Sequence, residues 1–372
     1  MKKRILEVVG RMDRAGQETF LMNVLRAHDS PKYEIWFSVN TDHIGDYEPE
    51  ILDLGGKIWH NPYAITNKTL LPYLREFRNF LKREGPFDVV HCHVYYFGGF
   101  IMKIAREEDV AVRIMHSNST SDGLKNTVYR RLYRLWCRKL ILDNATQLVA
   151  CGKEAYEALF HRSCPGNDKI LNNAIVMNKF NLSLQESIEM RESIGIANGN
   201  RIIISVARFL QVKNHERIIS IFDYYHRQIN ATSTLLLVGD GDGRNKIETI
   251  VKEKGLEDAV RFLGKRSDIP QLLNASDALL MPSLFEGLPV SLVEAQAAGI
   301  SCVVSDVITS EVDMGLDLVQ FVSLSDSDEV WAKAIEKACT TEKIAFDDRY
   351  NALNRNGYTI ESTWRKLEEL YE

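Results

Sequence analysis

Two cations and two carboxylates carry the clearest chemistry in this chain. Arg208 ends a β-branched apolar run, "NRIIISVARF", and Lys213 follows five residues on, ahead of a helix-like segment. Paired cations at the carboxyl end of a strand, beside the N–H groups that open a helix, suit a diphosphate. Glu286 and Glu294 stand eight positions apart in "SLFEGLPVSLVEAQAAG". Glu286 falls in a turn-like stretch, and Glu294 lies about a turn into the alanine-rich helix that follows. Gly287 and Leu288 lead into that helix. Pro289 suits its first turn, where the missing proline N–H would be unpaired in any case. The remaining free N–H groups suit a phosphate, and Glu294 is placed to reach sugar hydroxyls.

Glycine-rich turns add to this set. In "LLLVGDGDGRNKIE", Gly239, Gly241 and Gly243 permit close approach of a backbone or ligand. The Asp240-Gly241-Asp242 triplet has a metal-binding form, but Asp and Gly at a strand end are ordinary turn chemistry, which is the reading preferred here. Gly264, Lys265 and Arg266 follow a further short strand. In the amino-terminal half, His116 closes the run "AVRIMHS", while His60, His91, His93 and His161 form no clear motif. The segment 124–145, "LKNTVYRRLYRLWCRKLILDNA", mixes Lys125, Arg130, Arg131, Arg134, Arg138 and Lys139 with Leu132, Tyr133, Leu135, Trp136 and Leu140. Such a basic amphipathic helix is either a solvated face or a contact with an anionic membrane surface.

These residues need a scaffold, and the apolar pattern supplies one. Short apolar runs at 4–9, 33–40, 88–93, 111–117 and 147–152 alternate with helix-like stretches, among them 70–84, 97–108 and 124–143. The alternation restarts at 200–209 and continues through "TSTLLLVGDGD", "AVRFLG", "ALLMPS" and "SCVVSD". Strand–helix alternation implies parallel sheets covered on both faces. The expected fold is therefore α/β, with two doubly wound, Rossmann-like domains facing across a cleft: 1–175, 183–352, and a C-terminal helix in 353–372 that packs back on the first domain. That helix carries Trp364, Leu367, Leu370 and Tyr371 at helical spacing. The polar, aperiodic stretch at about 172–185 reads as the linker.

Bulk properties bound the function. At 372 residues the chain is too long for one ordinary core. A net charge of -5 argues against a bulk nucleic-acid binder. The six cysteines have neither C-x-x-C nor zinc spacing, which implies a reducing compartment. The apolar run in "MKKRILEVVG" is too short for a secretory leader, and no run reaches the roughly 18–20 residues of a spanning helix. The expected location is the cytoplasm, with contact at the inner membrane face as the peripheral alternative.

At this point the residues resemble a known family. "LFEGLPVSLVEAQAAGISCVVSD", with its E-x7-E spacing, is similar to the signature of family 4 retaining glycosyltransferases of the two-domain GT-B fold. "VARFLQVKNHERII" resembles their Arg…Lys diphosphate stretch, "LVGDG" the following strand and turn, and "ILNNAIVMNKF" their interdomain segment. The wording is nearest to enzymes that assemble capsular and exopolysaccharide units. The resemblance implies that Arg208 and Lys213 neutralise the nucleotide diphosphate. It implies that Glu286, with backbone amides from Gly287 to Pro289, holds the donor sugar and distal phosphate, and that Glu294 binds the ribose. Arg266, with Gly264, lies beside the base, and Gly239 belongs to the neighbouring turn. His116 sits near the donor sugar, and Gly16 in the first turn near phosphate and acceptor. No metal or other cofactor is required. The donor is a UDP-sugar, and the acceptor is a saccharide or lipid-linked saccharide. Two departures stand out: Ala15 replaces the first glycine of the first turn, and Ala174 follows Asn173 where many members have glycine. Two further readings stay open, a nucleotide-sugar 2-epimerase on the same fold and a non-catalytic, transferase-like partner subunit.

Overall fold

The computed structural model describes residues 2–27, 32–66, 68–124 and 126–372. The chain divides into two compact units, 1–175 together with 360–372, and 176–359. The first unit opens with β1 (Lys3–Val9), α1 (Gly16–Ala27), β2 (Tyr33–Val39), α2 (Glu48–Asp53), β3 (Lys57–His60) and α3 (Leu70–Glu84). It continues through β4 (Val89–Cys92), α4 (Gly98–Glu107), β5 (Val112–Ser117), α5 (Val128–Asn144), β6 (Gln147–Ala150) and α6 (Lys153–Phe160). The sheet order is β3-β2-β1-β4-β5-β6, with every pairing parallel.

The second unit runs through α7 (Leu184–Ser193), β7 (Ile202–Val206), α8 (His215–Gln228), β8 (Thr234–Val238), α9 (Arg244–Glu253), β9 (Val260–Gly264) and α10 (Ile269–Ala275). It ends with β10 (Ala278–Met281), α11 (Val290–Ala298), β11 (Ser301–Ser305), β12 (Val319–Val322), α12 (Asp328–Thr340) and α13 (Phe346–Arg355). Its sheet order is β12-β11-β10-β7-β8-β9, again parallel. In each unit the winding reverses beside the first strand, between β1 and β4 and between β7 and β10. Doubly wound sheets bind ligands at the carboxyl ends of the strands at that reversal.

The sequence explains both layers. Central strands such as β7 and β8 are apolar without alternation because helices cover both faces. On α3, Tyr73, Phe77, Phe80 and Leu81 recur at helical spacing and are the residues it buries. Phe80 stacks on Trp59 of β3 with ring centroids 4.0 Å apart. In the second unit, Trp331 of α12 is fully buried among Phe222, Tyr225 and Val303.

The chain returns to the first unit in α14 (Ile360–Tyr371). Leu367, Leu370 and Tyr371 are buried there, each contributing roughly 1.5–3 kcal/mol. Trp364 meets Tyr33 edge-on at 5.6 Å, and Lys3 Nζ donates to the Tyr371 carbonyl at 2.7 Å. Residues 353–359, expected in this helix, belong to the second unit instead. The stretch expected as a linker does contain the crossing between the units, at 175–176, but it is packed rather than exposed. Leu171, Ala174, Ile175, Met177 and Phe180 are buried, and α7 starts at Leu184 behind a Ser183/Glu186 capping box. Among the described residues no helix is long and apolar enough to cross a membrane. All six cysteines are free thiols, four of them buried.

Candidate active site

In the second unit, the loops after β7 and β10 are stitched together at the winding reversal. Asn214 adopts a left-handed conformation (φ 56°), and its Nδ2 donates to the Pro282 carbonyl at 2.9 Å. Leu284 N donates to the Val212 carbonyl at 2.8 Å. These ties bring the Lys213 ammonium onto Glu286, 2.5 and 2.6 Å from the two carboxylate oxygens, while Ser283 Oγ donates to Oε1 at 2.8 Å. Two residues expected to grip different parts of one ligand are thus a shielded ion pair. Arg208 is placed differently. Its side chain is exposed at the end of β7, and among the described residues its guanidinium has no hydrogen bond or ion pair.

The glycine turn after β8 supports Arg208 from below. Gly239 has φ +138°, and a Cβ there would lie 2.1 Å from the Ala207 carbonyl oxygen. Only glycine fits that approach. Phe209 N donates to the Asp240 carbonyl, and Gly243 N to the Phe209 carbonyl. Asp240 Oδ1 accepts from Gly241 N at 2.9 Å, an internal turn contact. Gly239 also donates its N–H to Gly264, at the end of β9 with φ +65°. Arg266 is tied by a two-pronged pair to Asp268, at 2.8 and 2.5 Å, so it is no free cation.

The start of α11 departs from the expected donor set. Pro289 is the N-cap residue and has no N–H, so it cannot supply a backbone amide. The donors there are Gly287, Leu288, Val290 and Ser291, whose N–H groups have no partner among the described residues. No side chain caps this helix end. A Cβ on Gly287 would meet nothing within 4 Å. Glu294, partly exposed on α11, has no bonding partner among the described residues, and burial raises its carboxyl to about 7.

In the first unit the strand ends hold a cluster that sequence reasoning missed. Glu7 on β1 is 3 % exposed, and its carboxylate meets His93 Nε2 at 2.9 Å, His91 Nδ1 at 3.2 Å and the Tyr371 hydroxyl at 3.1 Å. Burial alone would raise this carboxyl, but the two histidines hold it well below the usual range. His91 Nε2 also meets His116 Nδ1 at 3.2 Å, and His93 Nδ1 meets the Asn118 amide nitrogen at the same distance. Burial lowers His93 to about 4 and His116 well below its ordinary value, with the neighbouring imidazoles adding to both. Nitrogens of His91, His93 and His116 lie within 4.8 Å of one another. A metal could enter only by breaking the His91–His116 contact. His116 itself is 1 % exposed, with Phe20 edge-on at 5.8 Å. Gly16 is exposed at the start of α1 with nothing within 4 Å of its Cβ position. The available signal was Glu7 itself, a charge inside the apolar run 5–9 of β1, which must find a partner.

Within the segment 124–145, Val128–Asn144 fold as α5, and Lys125 lies outside the described residues. Its charges do not form the expected outer face. Arg130 and Arg134 both bond Asp122, at 3.1 and 2.6 Å, and Arg138 bonds the Leu159 carbonyl and the Tyr96 hydroxyl. Val128, Tyr129, Leu132, Leu135 and Trp136 are exposed instead, beside Arg131 and Lys139.

Comparison with known proteins decides the family. Residues 186–359 match the profile described as Glycosyl transferases group 1, and residues 3–170 match a Glycosyl transferase 4-like domain. EpsF of Bacillus subtilis (strain 168), which carries a glycosyltransferase name, is 37% identical over 372 residues, covering 100% of this chain and 96% of its own. The chain belongs to the group 1 glycosyltransferases. This transferase is also 23% identical over 378 residues to the capsular polysaccharide biosynthesis glycosyltransferase CapH of Staphylococcus aureus, covering 99% and 98% of the two chains. Its GT-B fold matches a glycosyltransferase from Rickettsia africae ESF-5 with a TM-score of 0.79 at 18% identity, covering 100% and 98%. It matches Anabaena HepE, solved with UDP and glucose, with a TM-score of 0.74 at 18% identity, covering 98% of each chain.

Proposed function

We propose that this glycosyltransferase moves a hexosyl group from a UDP-sugar to a saccharide or lipid-linked saccharide, with retained anomeric configuration and without a metal, in the assembly of a surface polysaccharide. One observation carries the reading. The unpaired Arg208 and the uncapped N-terminus of α11 belong to the two strands where the second sheet reverses, which is an anion site in a doubly wound fold. The relatives named for capsule biosynthesis and for galactosyl transfer to a diphosphoundecaprenol-linked sugar support the acceptor class.

Departure of a diphosphate concentrates negative charge on the leaving group, and fixed donors are worth most where charge develops. Arg208 and the amides of Gly287, Leu288, Val290 and Ser291 supply such donors, and Lys213 shares its charge between Glu286 and the phosphates. Glu294 holds the ribose. The first unit takes the acceptor, and the apolar face of α5 rests on the inner surface of the cytoplasmic membrane. The test is a thermal-shift screen across nucleotide sugars. A ligand at 100 times its Kd stabilises by about 2.7 kcal/mol. UDP-sugars are expected to give the largest shifts; no shift with any nucleotide sugar would remove the reading.

A further inference from the structure

Helix α5 is built the wrong way round for a solvated helix. Its large apolar side chains point outward, Tyr129 being 86 % exposed, while Arg130, Arg134 and Arg138 form an i, i+4, i+8 ridge turned into the protein. Arg130, the first residue of that ridge, lines a cavity of about 330 Å³ at the carboxyl ends of β4 and β5, together with His93, Tyr95, Asn118, Asp122 and Tyr133 among others.

The charges around this cavity do not balance. The guanidiniums of Arg130 and Arg134 share one carboxylate, Asp122, whose side chain is only 8 % exposed. Arg138, behind them, is bonded to a carbonyl and a phenol and meets no carboxylate among the described residues. His93 adds no charge, because burial keeps it neutral at ordinary pH. Two cations therefore share one anion at the edge of a half-enclosed space that Arg130 lines. Like charges held side by side and partly shielded from water favour a further counter-charge.

The cluster is also pre-set. Arg130 lies over the Tyr133 ring at 4.7 Å, and its Nη1 makes no hydrogen bond among the described residues while Nε and Nη2 hold Asp122. The rim residue Tyr95 has φ 45°, a left-handed conformation that a bulky side chain seldom adopts and that tends to mark functional sites.

We propose that this cavity binds the phosphate of a phosphate-bearing acceptor, with Arg130 as its ligand, Asp122 as the exchangeable internal counter-ion and Arg134 as the second cation that Asp122 holds beside it. This rests on the reading of the first unit as the acceptor side. The anion could belong to a lipid-diphosphate-linked saccharide or to a free sugar phosphate; both present the same group to Arg130. The guanidinium holds it by charge-assisted hydrogen bonds.

Calorimetry on the full-length protein with saturating UDP tests the site, using inorganic pyrophosphate and geranyl diphosphate as probes. Arg130→Gln is expected to weaken both by about tenfold, the loss of one charge-assisted bond. Asp122→Asn is expected to tighten both by about threefold or more, since it frees two guanidiniums; a merely misfolded loop cannot give that sign. Arg208→Ala should change neither, which separates this site from the one in the second unit. Tighter binding of geranyl diphosphate assigns the phosphate to a lipid carrier, and equal binding assigns it to a free sugar phosphate. Unchanged probe affinity in Arg130→Gln, weaker binding in Asp122→Asn, or no binding to the UDP-saturated protein overturns the proposal. Failure of UDP itself to bind, with pyrophosphate still sensitive to Arg130, would sink the donor assignment and leave this one standing.

Discussion

Acid should loosen the first unit well before it reaches ordinary carboxylates. His93 and His116 are both almost fully buried and held neutral, His93 with its pKa lowered from 6.5 to about 4 and His116 lowered well below its ordinary value. Unfolding exposes them, and the free imidazoles then bind protons that the native ones refuse. Between pH 6.5 and 4 the unfolded state therefore carries more protons, so stability falls as pH falls. Over the 1.5 units from pH 6.5 to 5, His93 removes roughly 1–2 kcal/mol, and His116 acts in the same direction. Glu7 works in a lower window. Its native carboxyl is held well below the usual carboxylate range, so its contribution is lost only as pH drops into and beneath that range. The assay is urea unfolding at pH 7, 6 and 5 followed by tryptophan fluorescence, which reports mainly the first unit because Trp36, Trp59, Trp136 and Trp364 lie there and Trp331 alone lies in the second. A loss of at least about 2 kcal/mol between pH 7 and 5 is expected, smaller in His93→Gln. A flat or rising profile over that window would refute the picture of buried neutral histidines.

Other predictions concern the second unit. Gly239→Ala should cost about 3 kcal/mol in chemical denaturation, because the added methyl collides with the Ala207 carbonyl at a strained φ; an unchanged midpoint would count against that turn. Lys213→Ala should cut turnover about a hundredfold and also lower stability, since it strands the shielded Glu286 carboxylate; the double variant with Glu286→Gln should recover stability but not activity. Affinity for UDP-glucose should rise from pH 6 to 8 as Glu294 ionises and accepts both ribose hydroxyls, and Glu294→Gln should abolish that dependence. Removing divalent cations with EDTA should leave turnover unchanged; a loss restored by metal would contradict the metal-free reading.

How much of this was legible beforehand follows contact range. Helix α3 was read at its observed bounds, 70–84, because Tyr73, Phe77, Phe80 and Leu81 repeat at helical spacing. Strands β3 and β12 were missed because both are partly exposed sheet edges without a continuous apolar run, unlike the equally short β4 and β10. The loops bearing Arg208, Lys213 and Glu286 announced themselves through local spacing, yet the Lys213–Glu286 pair spans 73 residues and no spacing rule reveals it. The same holds for Glu7, which meets His93 across 86 positions and Tyr371 across 364. On α5 the number of charges was plain. Their direction was not, because it depends on Asp122 in the preceding loop and Tyr96 at the end of β4.

The central claim is that Arg208 is the free cation awaiting a nucleotide diphosphate. Calorimetric titration of UDP into the wild-type protein and Arg208→Ala measures it most directly. The account predicts binding that weakens at least about tenfold in the variant, the worth of one charge-assisted contact. Equal affinity in the two proteins would contradict it.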